Sequence, residues 1–229
     1  MEQLPNGFIL CVPEGTFPLS TDSMVLAHFC RLPKNARVLD LGAGCGTLGL
    51  LLCAADPGCH VTGVEISPVS HAAAESNILR NALQTRMQSI CADLRDFASL
   101  PAAGSMDVCV SNPPYFSAGP ESYRNPTARR EDHCTPDNLF AAASRCLKYG
   151  GDLFLVHKPE RLGDLIARAA GHGLEAKRLL LLRHRTDGPV SLILLAFRKG
   201  GKPGLILEEQ ALREANGDPT PFFREVYHI

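Results

Sequence analysis

The 229-residue, 24.7 kDa chain is 45% hydrophobic and 21% charged, a balance that excludes a disordered chain and allows one substantial core. Its 23 basic and 24 acidic side chains leave a net charge of −1 and a pI near 6.7, which excludes a uniformly basic nucleic-acid coat but not a local basic face. Nine cysteines in no C-x-x-C pair, no leader-like N-terminus and no apolar run near the ~18 residues of a membrane span predict a reduced cytoplasmic protein without a metal site.

In chain order, Ser20, Thr21 and Asp22 can cap a helix running to about Cys30. Arg37–Leu41 reads as a strand and Thr47–Ala55 as a helix. Residues 60–66 form a strand rich in β-branched Val61, Thr62 and Val64. Ser67 caps, and Pro68 opens, a helix to about Asn81. Met87–Cys91 and Met106–Ser111 are further strands. A helix starting at Thr135 or Asp137 runs through Leu147 and is stopped by Gly150-Gly151. A strand at 153–157, a helix at 160–170 and two strands at 179–182 and 191–198 follow. Continuously apolar strands alternating with helices predict a doubly wound α/β fold around a mostly parallel, seven-stranded sheet. The link at 183–189 is too short for a helical crossover, so one strand near an edge is antiparallel. The expected organisation is a single domain over 1–229, with an N-terminal extension at 1–36, a core at 37–200 and a tail or small hairpin at 201–229.

The turn after the first core strand reads Asp40-Leu41-Gly42-Ala43-Gly44-Cys45-Gly46. Glycines at alternate positions allow a sharp turn and close approach of a ligand to a helix N-terminus. Glu65 follows Gly44 by 21 residues, at the end of the next strand, where a carboxylate can accept both ribose hydroxyls. A dinucleotide fingerprint would need G-x-G-x-x-G, and Leu48 stands where its third glycine belongs. Asp40 would repel a pyrophosphate but attract an ammonium group. The alternative is a structural glycine-rich turn.

Strand Met106–Ser111 leads into Asn112-Pro113-Pro114-Tyr115-Phe116. Two prolines cannot continue a sheet ladder, so the chain leaves the sheet at the edge where ligands bind in parallel sheets. The Asn112 side-chain carbonyl and the Pro113 main-chain carbonyl can accept both hydrogens of one planar amino group, and Tyr115 offers a flat stacking face. Such a site works by alignment and polarisation rather than by a strong base. A rigid Pro-Pro turn is the alternative.

The glycine loop resembles motif I of the class I S-adenosylmethionine-dependent methyltransferases. The Asn-Pro-Pro-Tyr tetrapeptide resembles motif IV of the amino-methyltransferases acting on adenine N6, cytosine N4 or glutamine N5. Over nearly the whole chain, the sequence is similar to the bacterial tRNA adenine-N6 methyltransferases that modify adenosine 37 of a valine tRNA. That similarity includes residues 16–27, Phe116 with the arginine-containing stretch after it, Lys199-Gly200-Gly201-Lys202-Pro203-Gly204-Leu205 and Pro219-Thr220-Pro221-Phe222.

The resemblance implies a Rossmann-like fold and S-adenosyl-L-methionine as cofactor, with S-adenosyl-L-homocysteine as product. Asp40, Gly42, Gly44 and Gly46 would hold its amino-acid end. Glu65, followed by Ile66, would hold the ribose, and Asp93, followed by Leu94, would receive the adenine amino group; an Asp there can also be a plain helix cap. Thr21 and Asp22 would close over the cofactor, making 1–36 a lid. Asn112, Pro113, Pro114 and Tyr115 would be catalytic, with Phe116, Arg124, Arg129 and Arg130 binding substrate. Arg178, Arg183, His184, Arg185, Arg198, Lys199 and Lys202 would extend a phosphate-contacting face around the last strands, unless these residues only solvate a surface. RNA, most simply tRNA, is the implied partner, with no membrane and no obligate protein partner. Two other readings remain: a protein glutamine-N5 methyltransferase, disfavoured by the roughly 36 residues before the first core strand, and a non-catalytic RNA-binding protein on the same fold.

Overall fold

The computed structural model describes residues 1–4, 7–13, 19–113 and 134–229. A short hairpin, β1 (Glu2–Gln3) and β2 (Ile9–Leu10), precedes α1 (Thr21–Phe29). Next come β3 (Arg37–Leu41), α2 (Thr47–Ala55), β4 (His60–Glu65), α3 (Pro68–Arg80), β5 (Met87–Cys91) and β6 (Met106–Ser111). The second half holds α4 (Pro136–Cys146), β7 (Leu147–His157), α5 (Leu162–Gly171), β8 (Leu174–Arg185), β9 (Val190–Lys199), β10 (Ile206–Arg213) and α6 (Pro221–Tyr227). The helix starts follow local capping chemistry: Ser20, Ser67, Thr135 and Thr220 each accept a backbone N–H with their side-chain oxygen, and Pro68, Pro136 and Pro221 follow the last three.

The main sheet has the order β10-β8-β9-β7-β6-β3-β4-β5. Only β9 runs against its neighbours, pairing antiparallel with β7 and β8, so the doubly wound arrangement with one reversed strand near an edge holds. The count of seven strands is corrected to eight among the described residues. The segment read as a tail supplies β10, which pairs parallel with β8, and then α6. The other shift concerns Gly150-Gly151, which lies inside β7 rather than stopping a helix; α4 ends at Cys146 and the strand begins at once. A Cβ on Gly151 would lie 2.8 Å from the Asp107 carbonyl oxygen, where the β6–β7 register shifts. The glycine is there to let two backbones approach at a bulge.

Alternation along β3 sets up both faces. Val38 joins the core beneath α1, α2, α3 and α6, while Leu39 and Leu41 join the core beneath α4 and α5. Asp40 shares the parity of Val38, so its side chain is on the α1–α2 face. The C-terminal ends of β3, β4, β5, β6 and β7 lie along one edge of the sheet, the ligand-binding edge of an open α/β fold.

Candidate active site

At that edge the glycine loop folds onto β4. Gly42 and Ala43 donate their N–H groups to the Val64 carbonyl at 2.9 and 3.0 Å. Gly42, Gly44 and Gly46 have φ of +76°, +55° and +84°, left-handed values that glycine adopts without strain. Glu65 ties the loop to the next helix: one carboxylate oxygen accepts from Gly44 N at 2.9 Å and the other from Ser67 N at 2.8 Å. It therefore shapes the loop.

Asp40 is 1% exposed, and neither carboxylate oxygen has a hydrogen-bond partner among the described residues. Burial, with repulsion from Glu65, pushes its pKa up to about 7; the nearby Gly49 N–H in the first turn of α2 offsets this only in part. An orphaned buried carboxylate is costly unless a partner arrives. Two carboxylates in repulsion favour a cationic one.

Asn112 and Pro113 follow β6 directly. Asn112 is half-buried, and its Nδ2 donates to Ser23 Oγ in α1 at 3.0 Å. This bond brings the N-terminus of α1 beside the tetrapeptide. Ser20 is the cap, as the capping alternative has it. Thr21 Oγ1 is instead 3.1 Å from the Tyr227 hydroxyl of α6. Burial raises the pKa of Asp22, and the Lys158 ammonium pulls it back down. At the end of β7, His157 is fully buried; its Nδ1 accepts from Lys158 N at 2.8 Å, and burial drives its pKa down to about 4. The ring is thus neutral at working pH with its proton on Nε2.

Asp93 is clamped by Arg95, which donates Nε to both carboxylate oxygens at 3.0 Å and Nη2 to one at 2.5 Å. Ile66 is exposed and Leu94 buried. Pro114, Tyr115, Phe116, Arg124, Arg129 and Arg130 lie outside the described residues.

The arginines of the last strands are a different matter. Arg178 pairs with Glu208 at 2.9 Å and stacks over Phe29 at 4.2 Å. Arg183 pairs with Glu209, Arg185 with Asp187 and Arg198 with Asp152. Each of these four guanidinium groups has a carboxylate of the chain beside it, although the Arg185 and Arg198 side chains remain 48% exposed, and Lys199 donates to the Leu147 carbonyl. Among the described residues, no cluster of His, Cys, Asp and Glu could hold a metal ion, and no helix is long and apolar enough to cross a membrane.

Residues 19–163, which span β3 to β7 with both motifs, match the methyltransferase small domain family. The chain belongs to this family. Curated relatives named tRNA1(Val) (adenine(37)-N6)-methyltransferase include one from Bacteroides fragilis strain YCH46, 28% identical over 91% of this chain and 90% of its own length. Another, from Yersinia pseudotuberculosis serotype O:3, is 30% identical over 90% of this chain and 82% of its own length. Among solved structures, a predicted O-methyltransferase from Agrobacterium tumefaciens superposes with a TM-score of 0.77 at 22% identity, covering 91% of this chain and 96% of that one. A geranyl diphosphate C-methyltransferase from Streptomyces coelicolor, solved with S-adenosyl-L-homocysteine, gives 0.57 at 12% identity over 77% and 78%. At these identities the two structures speak for the fold alone.

The enzyme is thus a class I S-adenosylmethionine-dependent methyltransferase, and its residues fit that cofactor. Among the described residues the buried Asp40 carboxylate has no hydrogen-bond partner, and a Cβ built on Gly42 or Gly44 would meet none of them within 4 Å, which leaves space for a ligand at the loop. Sequence reasoning named Asp40, the glycines, Glu65 and Asn112. It assigned no role to Ser23, His157, Lys158 or Tyr227. The only local signal for this group was Lys158 and His157 at the end of a strand pointing to the ligand edge.

Proposed function

We propose that the enzyme transfers a methyl group to the exocyclic N6 of an adenine in tRNA, adenosine 37 of a valine tRNA being the position its relatives' names give. The observation that carries this is an Asn-Pro-Pro-Tyr sequence leaving the ligand edge, with Asn112 beside the glycine loop strand, in a chain related over nine-tenths of its length to enzymes of that name. The reading places the enzyme in the cytoplasm with its RNA substrate.

In this reading Asp40 faces the ammonium end of the cofactor and Glu65 the ribose hydroxyls. Asp93 receives the adenine amino group once Arg95 yields, and Thr21 and Asp22 border the entrance. Bound S-adenosylmethionine supplies a sulfonium that makes its methyl carbon electrophilic. The Asn112 Oδ1 and the Pro113 carbonyl accept the two N6 hydrogens, which turns the nitrogen lone pair toward that carbon. Pro114 and Tyr115 complete the tetrapeptide, with the Tyr115 ring as a face for the adenine. Neither Asn nor Pro is a base, so the proton displaced from N6 leaves to solvent. An adenine in a folded RNA loop must turn out of its stack to reach this edge, and Phe116, Arg124, Arg129 and Arg130 are the residues assigned to hold it and its phosphates.

The test is incubation with methyl-labelled cofactor, tRNA lacking the modification and a release factor in one mixture. Nuclease digestion of the tRNA should yield labelled N6-methyladenosine. Label confined to a glutamine of the protein, or no transfer at all, contradicts the proposal.

A further inference from the structure

Asn112 can serve an amino group only with its carbonyl oxygen, and an amide turned by 180° presents two N–H donors instead. Something must therefore fix which end faces the substrate. The amide nitrogen of Asn112 donates to Ser23 Oγ at 3.0 Å, across 89 residues of chain. Ser23 is 6% exposed, so bulk water does not replace this partner. It sits in the first turn of α1, where its N–H donates to Ser20 Oγ at 3.3 Å and its own hydroxyl is 3.4 Å from the same atom. Either hydroxyl can donate in that contact, and when Ser23 gives its proton to Ser20 its own oxygen is left as an acceptor. An acceptor there selects the Asn112 nitrogen and leaves Oδ1 for the substrate.

The first turn of α1 is itself held from outside. Thr21 Oγ1 is 3.1 Å from the Tyr227 hydroxyl, and further along the helix His28 packs edge-on against Phe222 at 5.5 Å. The residues that aim Asn112 thus sit on a helix braced by the C-terminal one.

We infer that Ser23 is a positioning residue, whose side-chain oxygen sets the polarity of the Asn112 amide toward the amino group being methylated. This rests on the amino-methyltransferase reading above. An amide without this partner samples both orientations, and only one is productive. A residue that acts only through Asn112 lowers turnover and leaves binding as it was.

The test measures kcat and KM for tRNA methylation by the full chain and by Ser23→Ala, Ser23→Cys, Asn112→Ala and the double variant Ser23→Ala/Asn112→Ala. Ser23→Cys keeps the shape and replaces the oxygen by a weak acceptor, so it stands in should Ser23→Ala fold poorly. The expected result is a kcat lowered about tenfold in both Ser23 variants, with KM for cofactor and tRNA within about twofold of wild type. In the Asn112→Ala background, Ser23→Ala should cost less than about twofold, since the group it acts through is gone. A Ser23→Ala penalty that persists undiminished in that background overturns the inference, because Ser23 then acts through the helix. Wild-type kcat in Ser23→Ala and Ser23→Cys overturns it also. Wild-type enzyme that methylates no tRNA overturns the reading beneath it, an outcome distinct from both.

Discussion

The two ends of the sheet treat charge in opposite ways. Along the edge formed by β3, β4 and β6, Asp40 is buried with both oxygens unpartnered and in repulsion with Glu65. Across β8, β9 and β10, Arg178, Arg183, Arg185 and Arg198 are each matched by a carboxylate. At the second end opposite charges neutralise one another, although the buried Arg178 Nε has no partner among the described residues; at the first the two carboxylates share one sign, and a cation would relieve them. The same residue types carry different meanings at the two ends, and only their partners tell them apart.

Breaking the ligand edge should cost the most. Asn112→Ala should lower turnover by on the order of 10²-fold or more while cofactor affinity stays within about twofold; parallel loss of cofactor binding in calorimetry would assign Asn112 to structure instead. Asp40→Asn should divide function from stability. The folded protein holds the Asp40 proton up to about 7 against an ordinary value of 3.8, so the unliganded protein loses stability as pH rises between those values. The amide has no such loss. Above pH 7, urea denaturation should therefore find the unliganded variant roughly 1–3 kcal/mol more stable than wild type, even as it binds cofactor more weakly. A variant less stable than wild type at pH 8 would mean that Asp40 has a structural partner.

The paired end should respond in the reverse sense. Arg178→Ala removes a mostly buried guanidinium that bonds Glu208 and the Phe29 carbonyl and stacks on the Phe29 ring. It should cost about 1–3 kcal/mol in chemical denaturation with the methylation rate per folded molecule unchanged. Arg183→Ala breaks a half-exposed pair with Glu209 and should cost under about 1 kcal/mol, leaving the salt dependence of RNA binding as it was. Replacing Arg129 and Arg130 by Ala should flatten that dependence by about one phosphate contact each. A flatter slope for Arg183→Ala would instead restore the last strands to the RNA face.

What could be read from the sequence follows the same division. The glycine loop and Glu65 are legible because backbone geometry dictates them: alternate residues at positive φ require glycine, and a carboxylate 21 residues on meets the loop N–H. Asn112 is legible because a strand running into Pro113-Pro114 must leave the sheet. β10 is not, since it is an edge strand in which only Ala211 and Leu212 are buried, and its polar remainder is held by pairs to β8 that have no local signature. Arg178 and Glu208 are 30 residues apart, so the sequence displays two charges and not their neutralisation. The Ser23–Asn112 bond spans 89 residues and is invisible for the same reason. Thr220-Pro221, by contrast, carries a local cap-and-start signal for α6 within the segment expected as a tail.

The claim that the orphaned carboxylate belongs to the cofactor is tested most directly by calorimetric titration of S-adenosyl-L-homocysteine into wild type and Asp40→Asn at pH 6 and pH 8. With Asp40 titrating near 7 and its ionised form drawing the ligand ammonium, wild-type affinity should rise about tenfold between the two pH values, and the variant should bind weakly with a flat profile. Equal wild-type affinity at both, matched by the variant, would contradict the account.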